Sequence, residues 1–129
     1  MKIIRIVLVD DHPLVLDGLR ARLSRSEDIE VVGEANDGAK ALAIVRELNP
    51  DVVLMDINMP LMNGIETTTW ITEHFPNIDV LGLSIEEDER TIIQMLRAGA
   101  KGYLMKDVEK SVLEMALNEV VTNGFYHSK

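Results

Sequence analysis

The sequence predicts a single α/β domain in which helices cover a parallel β-sheet. Short apolar runs alternate with longer segments whose apolar residues recur every three or four positions, as is typical of successive βα units. The length of 129 residues corresponds to about one domain, and a hydrophobic content of 47% can form a proper core. The predicted strands are residues 5–9, 30–35, 51–55, 80–84 and 102–104. Five strands alternating with five helices fill the chain, so we expect no second domain.

Apolar residues at helical spacing predict the helices between these strands. In the first stripe the aliphatic stem of an arginine substitutes for an apolar side chain. Four stripes are clear: Val15, Leu19, Arg22 and Leu23; Ala41, Leu42, Val45 and Leu48; Ile92, Met95, Leu96 and Gly99; Leu113, Ala116, Leu117 and Val120. The third helix, residues 64–73, has the weakest pattern, because it contains Ile65, Ile71 and a run of three threonines.

Residues that begin or end helices agree with these boundaries. Pro13 suits a first helical turn, Asn49-Pro50 stops the second helix, and Gly99 follows the fourth. Asp107 is placed to cap the last helix.

Composition excludes several classes of protein. The chain has no cysteine, which excludes disulfides, zinc–thiolate sites and thiol nucleophiles and fits a reducing compartment. Its net charge is −9, from 22 acidic against 13 basic residues, so we do not expect this chain alone to bind DNA. The N-terminal apolar run reaches Asp10-Asp11 after seven residues, too short for a signal peptide or a membrane span. We therefore expect a soluble cytoplasmic protein with no membrane partner.

Acidic residues follow two of the predicted strands. Asp10 and Asp11 end the first apolar run, and Asp56 ends the third. Open α/β sheets have their sites at the carboxyl ends of the strands, where these three carboxylates could converge. Crowded acids are unfavourable unless a cation neutralises them. A bound divalent cation, with chemistry at one of the acids, is therefore the first hypothesis; helix capping by the acid pair and an ordinary loop acid at position 56 are the alternatives.

The chain resembles the receiver domain of two-component response regulators from Ile3 to about Val121. The features that carry this likeness are Asp10-Asp11, Asp56, Met59-Pro60, Met62-Asn63-Gly64, Ser84 and Lys106, in this order and near strand ends. Val9-Asp-Asp-His-Pro13 and the segment from Gly99 to Asp107 are most similar to the subfamily with a LuxR/NarL-type helix-turn-helix output domain. The resemblance implies a doubly wound, flavodoxin/CheY-like fold. Its five-stranded parallel sheet would have the order 2-1-3-4-5, with helices on both faces.

The resemblance also implies a phosphorylation switch. Asp56 would accept a phosphoryl group from a sensor histidine kinase or a small phosphodonor, and a carboxylate is able to form a covalent acyl phosphate. Asp11, Asp56 and the backbone carbonyl of Asn58 would bind Mg²⁺ directly, with Asp10 acting through water. Such a protein is not an enzyme beyond catalysing its own phosphorylation and dephosphorylation.

Three further residues are assigned by the same resemblance. Lys106 would pair with Asp56 and then with the phosphoryl oxygens, and Ser84 would donate its hydroxyl to the phosphoryl group. Tyr103 would be a switch aromatic that turns inward on activation. Taken singly, they are a solvated lysine, a strand-terminal serine and a half-buried packing residue.

Two residues adjoin the expected site in the sequence but are not assigned to its chemistry. His12 adjoins the acids, but magnesium prefers oxygen to imidazole, so we interpret it as a loop or packing residue. Ile85 stands after Ser84, where many receivers have a small side chain. We expect its bulk to restrict access to the acyl phosphate.

The resemblance divides the chain into a receiver domain, residues 1–122, and the start of a linker, residues 123–129, to an absent output domain. Control of transcription would then act through that output domain, the only part expected to contact DNA. A stand-alone receiver that acts through protein contacts is the alternative. A Mg²⁺-dependent aspartyl phosphatase fits poorly, since Asp56-Ile-Asn58 lacks the second acid of such enzymes, and an inert pseudo-receiver would not need all the site residues.

The last helix has more apolar residues than one core face requires. Val112, Met115 and Val121 flank its main stripe, and Val108 and Phe125 lie just outside. Excess apolar surface indicates a subunit interface. We therefore expect a homodimer whose formation is linked to phosphorylation.

Overall fold

The structure, a computed structural model, describes residues 2–57, 59, 63–85 and 88–127. Strands and helices alternate along the chain, as expected. The elements are β1 (Ile4–Val9), α1 (Pro13–Leu23), β2 (Ile29–Ala35), α2 (Gly38–Leu48), β3 (Val52–Asp56), α3 (Gly64–His74), β4 (Asp79–Ser84), α4 (Glu89–Arg97), β5 (Tyr103–Met105) and α5 (Lys110–Asn123).

The five strands form one parallel sheet with the order β2-β1-β3-β4-β5. This confirms the predicted fold, including the strand order. Successive strands are added first on one side of β1, as β2, and then on its other side, as β3, β4 and β5. Ligands bind at the point where the order switches in open α/β sheets. Val9 pairs with Met55, so the residues after β1 lie beside the end of β3.

Apolar side chains pack on both faces of the sheet. The cluster on one face joins the sheet to α1 and α5 through residues such as Leu19 and Leu117. The cluster on the other face joins it to α2, α3 and α4 through residues such as Val45, Ile71 and Met95. Because the central strands are buried on both sides, their sequences read as continuous apolar runs.

The helix boundaries agree with the punctuation of the sequence at three positions. Pro13 begins α1. Asn49 ends α2 in the left-handed conformation, with φ 47°, and its N–H donates to the carbonyl of Val45. Gly99 follows α4 with φ 114°, and a Cβ there would meet the side chain of Thr72 at 2.6 Å. Glycine is therefore required at this turn.

The predicted cap of the last helix is wrong. Asp107 lies in a turn, and α5 begins only at Lys110 with Glu109 as its N-cap residue. In this turn the carbonyls of Lys106 and Val108 accept from the guanidinium of Arg22. Both carbonyls lie before the first residue of the helix.

The packed chain continues beyond α5. Gly124 ends the helix with φ 85°, and the N–H of Tyr126 donates to the carbonyl of Lys101 at 2.8 Å. Tyr126 is buried in the core, and its backbone approaches so closely that a Cβ on Gly102 would meet the Tyr126 carbonyl oxygen at 2.5 Å. The limit drawn after residue 122 stays a prediction, although packing against the domain continues to Tyr126.

Among the residues described, every helix is too short or too polar to cross a lipid bilayer.

Candidate functional site

Three of the expected acids meet at the carboxyl end of the two central strands. Asp10 follows β1, and Asp56 is the last residue of β3. The side chains of both are buried, with Asp10 0% and Asp56 1% exposed, whereas Asp11 is partly exposed. Parallel pairing of β1 with β3 is what brings them together. Buried carboxylates this close require neutralisation.

Lys106 supplies a positive charge to this group. Its Nζ lies 2.8 Å from Asp10 Oδ2 and 3.0 Å from Asp56 Oδ1, and its side chain is 7% exposed. Burial alone would lower the pKa of Lys106, but the hydrogen bonds and charges of Asp10 and Asp56 outweigh burial and raise the pKa. The lysine therefore remains charged at neutral pH and links the two acids as an ammonium.

Backbone contacts from two directions hold Lys106 in place. Its N–H donates to the carbonyl of Ser84 at 2.9 Å, which ties the end of β5 to the end of β4. Arg22 of α1 donates to the carbonyls of Lys106 at 3.1 Å and Val108 at 2.6 Å. Sequence reasoning treated Arg22 only as part of an apolar stripe; it also anchors the loop that carries the site lysine.

Ser84 and Gly64 border Asp56. Ser84 is the buried last residue of β4, the strand that pairs with β3. The backbone of Gly64 passes directly over the end of β3, so a Cβ there would lie 2.0 Å from the carbonyl oxygen of Asp56. The glycine of Met62-Asn63-Gly64 is therefore explained by close packing at the site. Asn63 in turn caps α3 by accepting from the N–H of Glu66 at 2.9 Å.

The acids and a histidine form a group that suits a cation. Asp10, Asp11, His12 and Asp56 each offer one ligand atom, and these atoms all lie within 4.8 Å of one another. Asp11 Oδ1 is buried, and it lies 3.1 Å from Nδ1 of His12. A hard divalent ion such as Mg²⁺ prefers carboxylate oxygens of this kind. The donor set therefore fits the cation that the sequence predicted.

Asn58 lies outside the described residues. Tyr103, half-buried on β5, lines a surface cavity of about 380 Å³ together with Leu96, Phe125 and Tyr126. Its role as a switch residue stays a prediction.

The structure adds His12 to the residues that sequence reasoning assigned to the site. Its imidazole contacts both acids of the pair, although the sequence reading made it a loop or packing residue. The available signal was its position, directly after Asp10-Asp11 and before the first helix.

Comparisons with known proteins agree with this geometry. The family model described as the response regulator receiver domain matches residues 6–118. The transcriptional regulatory protein DegU of Brevibacillus brevis is 42% identical over 123 residues, covering 95% of this chain and 52% of that protein. The nitrate/nitrite response regulator protein NarL of Escherichia coli K12 is 39% identical over 114 residues, covering 88% of this chain and 53% of that protein. The chain thus spans about half the length of these relatives.

Solved structures show the same likeness. The signal receiver domain of NarL from Mycobacterium tuberculosis superposes with a TM-score of 0.89 at 34% identity, covering 95% of this chain and 99% of that one. A LuxR-family two-component response regulator from Aurantimonas sp. SI85-9A1 gives a TM-score of 0.88 at 33% identity, covering 96% and 88%. With a family model matching most of its length and relatives of this identity, the chain belongs to the response regulator receiver domain family.

Proposed function

We propose that this chain is a phosphorylation-activated signalling switch in which Asp56 accepts a phosphoryl group from a sensor histidine kinase. The observation that carries the proposal is the contact of Asp56 with Lys106 inside a buried group of acids. A carboxylate held beside an ammonium and a cation-binding acid pair is arranged for phosphoryl transfer, which depends mainly on positioning and charge neutralisation.

In the transfer step, a carboxylate oxygen of Asp56 attacks phosphorus. The bond from phosphorus to the donor's nitrogen or oxygen breaks, and the donor leaves with the electron pair. Lys106 neutralises charge on the transferred oxygens as a movable point charge, and the hydroxyl of Ser84 donates to one of them. Support comes from the ends of β3, β4 and β5 lying side by side in the sheet.

Magnesium, when bound, would neutralise negative charge on the phosphoryl oxygens. Asp11 and Asp56 are the residues that would hold it, with the carbonyl of Asn58 and, through water, Asp10. The buried Asp11 Oδ1, in a group whose ligand atoms lie within 4.8 Å of one another, supports this assignment.

The response to phosphorylation would involve Ser84 and Tyr103. Drawing Ser84 toward the phosphoryl group shifts the loop after β4, which opens space for the ring of Tyr103 to turn inward. The altered surface would comprise α4, β5 and α5. A modification can bias such a two-state element only through different interaction energies in the two states.

Control of transcription through a DNA-binding output domain is the proposed result of the switch. DegU is named as a transcriptional regulatory protein and NarL as a response regulator, and this chain matches about half of the length of each. A net charge of −9 makes direct DNA contact by this chain unfavourable. The same relatives support a cytoplasmic location, and a stand-alone receiver that acts on a partner protein remains the alternative.

Incubation with acetyl phosphate and Mg²⁺, followed by intact mass measurement, tests the proposal. The parent protein should gain the mass of one phosphoryl group, whereas Asp56→Asn should gain none. Asp51→Asn is a matched control, because Asp51 lies at the opposite end of β3, and it should label like the parent. Labelling that survives in Asp56→Asn would contradict the assignment. Turnover of a phosphomonoester without a stable labelled protein would indicate a phosphatase instead.

Phosphorylation-linked homodimerisation is the second part of the proposal. Met115 on α5 and Leu14 on α1 are large exposed apolar residues on neighbouring helices. Val112, Val121 and Val108 pack against the core, so the surplus apolar surface is smaller than the sequence suggested. Light scattering with and without a beryllofluoride mimic should show a shift from monomer to dimer, which Met115→Lys should weaken; identical monomer masses would contradict it.

A further inference from the structure

His12 places a nitrogen donor directly against the acid pair. Its Nδ1 lies 3.0 Å from Asp10 Oδ1 and 3.1 Å from Asp11 Oδ1. The backbone N–H of His12 also donates to Asp10 Oδ1, at 2.9 Å. The two acids thus present one oxygen each to the same ring nitrogen.

Nδ1 forms a hydrogen bond with Asp10 Oδ1 in this structure, and its distances to the two carboxylate oxygens are also those of neighbouring ligands around one ion. Two ligands at right angles, each about 2.1 Å from an octahedral ion, are separated by about 3 Å. Both distances from Nδ1 match this octahedral value and are slightly shorter than the roughly 3.4 Å between ligands of a tetrahedral ion. Asp56 completes the set, since all four residues offer ligand atoms within 4.8 Å of one another.

Lys106 does not compete for this face of Asp10. Its ammonium contacts Oδ2 of Asp10, whereas His12 contacts Oδ1. Asp10 therefore divides its two oxygens between the lysine and the histidine. A cation beside His12 and Asp11 leaves the ion pair with Lys106 intact.

From this geometry we propose that His12 is a metal ligand, and that its Nδ1 joins the carboxylates of Asp10 and Asp11 in binding divalent transition-metal ions such as Co²⁺ and Zn²⁺. The proposal deepens the proposed cation site and rests on it. Imidazole favours these ions, whereas magnesium favours oxygen alone. The ring is 59% exposed, so water can accept the hydrogen that Nε2 carries when Nδ1 binds a metal.

The cation site would then use different ligands for two classes of ion. The carboxylates are sufficient for Mg²⁺, which takes oxygen ligands and keeps several waters. His12 adds affinity only for ions that accept nitrogen. Loss of the imidazole should therefore separate the two classes of ion.

Titration calorimetry of the whole chain, without a histidine tag, tests this separation. His12→Ala should weaken Co²⁺ and Zn²⁺ binding by about tenfold or more, since loss of even an outer-sphere partner costs about this much. The same variant should leave Mg²⁺ affinity within about twofold. The visible absorption of bound Co²⁺ should also shift, because a nitrogen ligand is replaced by water.

His127→Ala is the matched control, since His127 is exposed and lines the cavity beside Tyr103; it should change neither affinity. Unchanged Co²⁺ affinity in His12→Ala would overturn the proposal, and so would equal losses for Co²⁺ and Mg²⁺, which would mean that the ring only orients Asp10. Thermal unfolding of the variant confirms that it folds.

Labelling with acetyl phosphate and Mg²⁺ distinguishes the two proposals. If His12→Ala still labels Asp56 but binds Co²⁺ like the parent, only the role of His12 fails. If the parent itself does not label, the proposed function fails.

Discussion

The two halves of the sheet's carboxyl edge differ in how much freedom they have. At β1 and β3, Asp10 and Asp56 are fully buried and joined through Lys106. At β4 and β5, Ile85 is 63% exposed and Tyr103 borders an open cavity. Charges need fixed partners in a buried site, whereas a responding surface needs room to rearrange. The buried side chains at this edge, including Ser84 and Lys106, are therefore suited to the proposed reaction, and the exposed residues beside β4 and β5 to the proposed response.

Removal of the Lys106 ammonium should cause the largest loss of stability. Lys106→Met leaves Asp10 and Asp56 buried without their ammonium partner, which should lower the free energy of unfolding by about 3 kcal/mol. Urea denaturation at neutral pH measures the loss. Lys40→Met, at an exposed lysine, is the control. A loss no larger than that of the control would show that the acids do not depend on Lys106.

The pH dependence of the unfolding free energy should show the same stabilisation by Lys106. The pKa of Lys106 is raised above its ordinary 10.5 in the folded protein. Its stabilising contribution is therefore complete below the pKa of the unfolded chain and is lost as pH rises through the raised value. The difference in unfolding free energy between the parent and Lys106→Met should stay constant above neutral pH and shrink only in strong alkali. Shrinkage near neutral pH would contradict this expectation.

Substitution of Arg22, which anchors the loop that carries Lys106, should destabilise the fold less than removal of Lys106. Arg22→Lys keeps the charge but loses the fork that reaches the carbonyls of Lys106 and Val108 together. We expect a loss of about 1.5 kcal/mol, typical of hydrogen bonds to charged groups, and slower labelling of Asp56. Arg25→Lys, at an exposed arginine, should change neither. Equal unfolding midpoints for the two variants would show that the Arg22 contacts do not stabilise the fold.

The smallest effect on stability is expected at Ile85, the exposed residue after β4. Ile85 lines an apolar cavity of about 350 Å³ with His12, Pro13, Leu14 and Val15. Ile85→Ala should open access to the acyl phosphate and shorten its half-life, measured as phosphate loss over time, with little change in stability. Ile93→Ala, an exposed isoleucine on α4, is the control. An unchanged half-life would remove the idea that Ile85 restricts access.

The fold was predictable from the sequence because buried strands and amphipathic helices have different periodicities. The site acids were predictable because parallel strands end at one edge, which brings Asp10 and Asp56 together. The contacts of Arg22 in the turn before α5 were not predictable, since Arg22 is 86 positions from Val108 in the sequence. The contact of His12 with the acids depends on a ring orientation that no spacing rule specifies.

The contact between Tyr126 and Lys101 has a practical consequence for recombinant fragments of this protein. The β5 strand is only three residues long and lies at the sheet's edge, where unpaired backbone groups promote aggregation. The N–H of Tyr126 donates to the carbonyl of Lys101, two residues before that strand, and Tyr126 belongs to the same core cluster as Leu81. A fragment cut after residue 122 would lose both contacts of Tyr126. Expression of the isolated domain should therefore retain the chain at least to Tyr126.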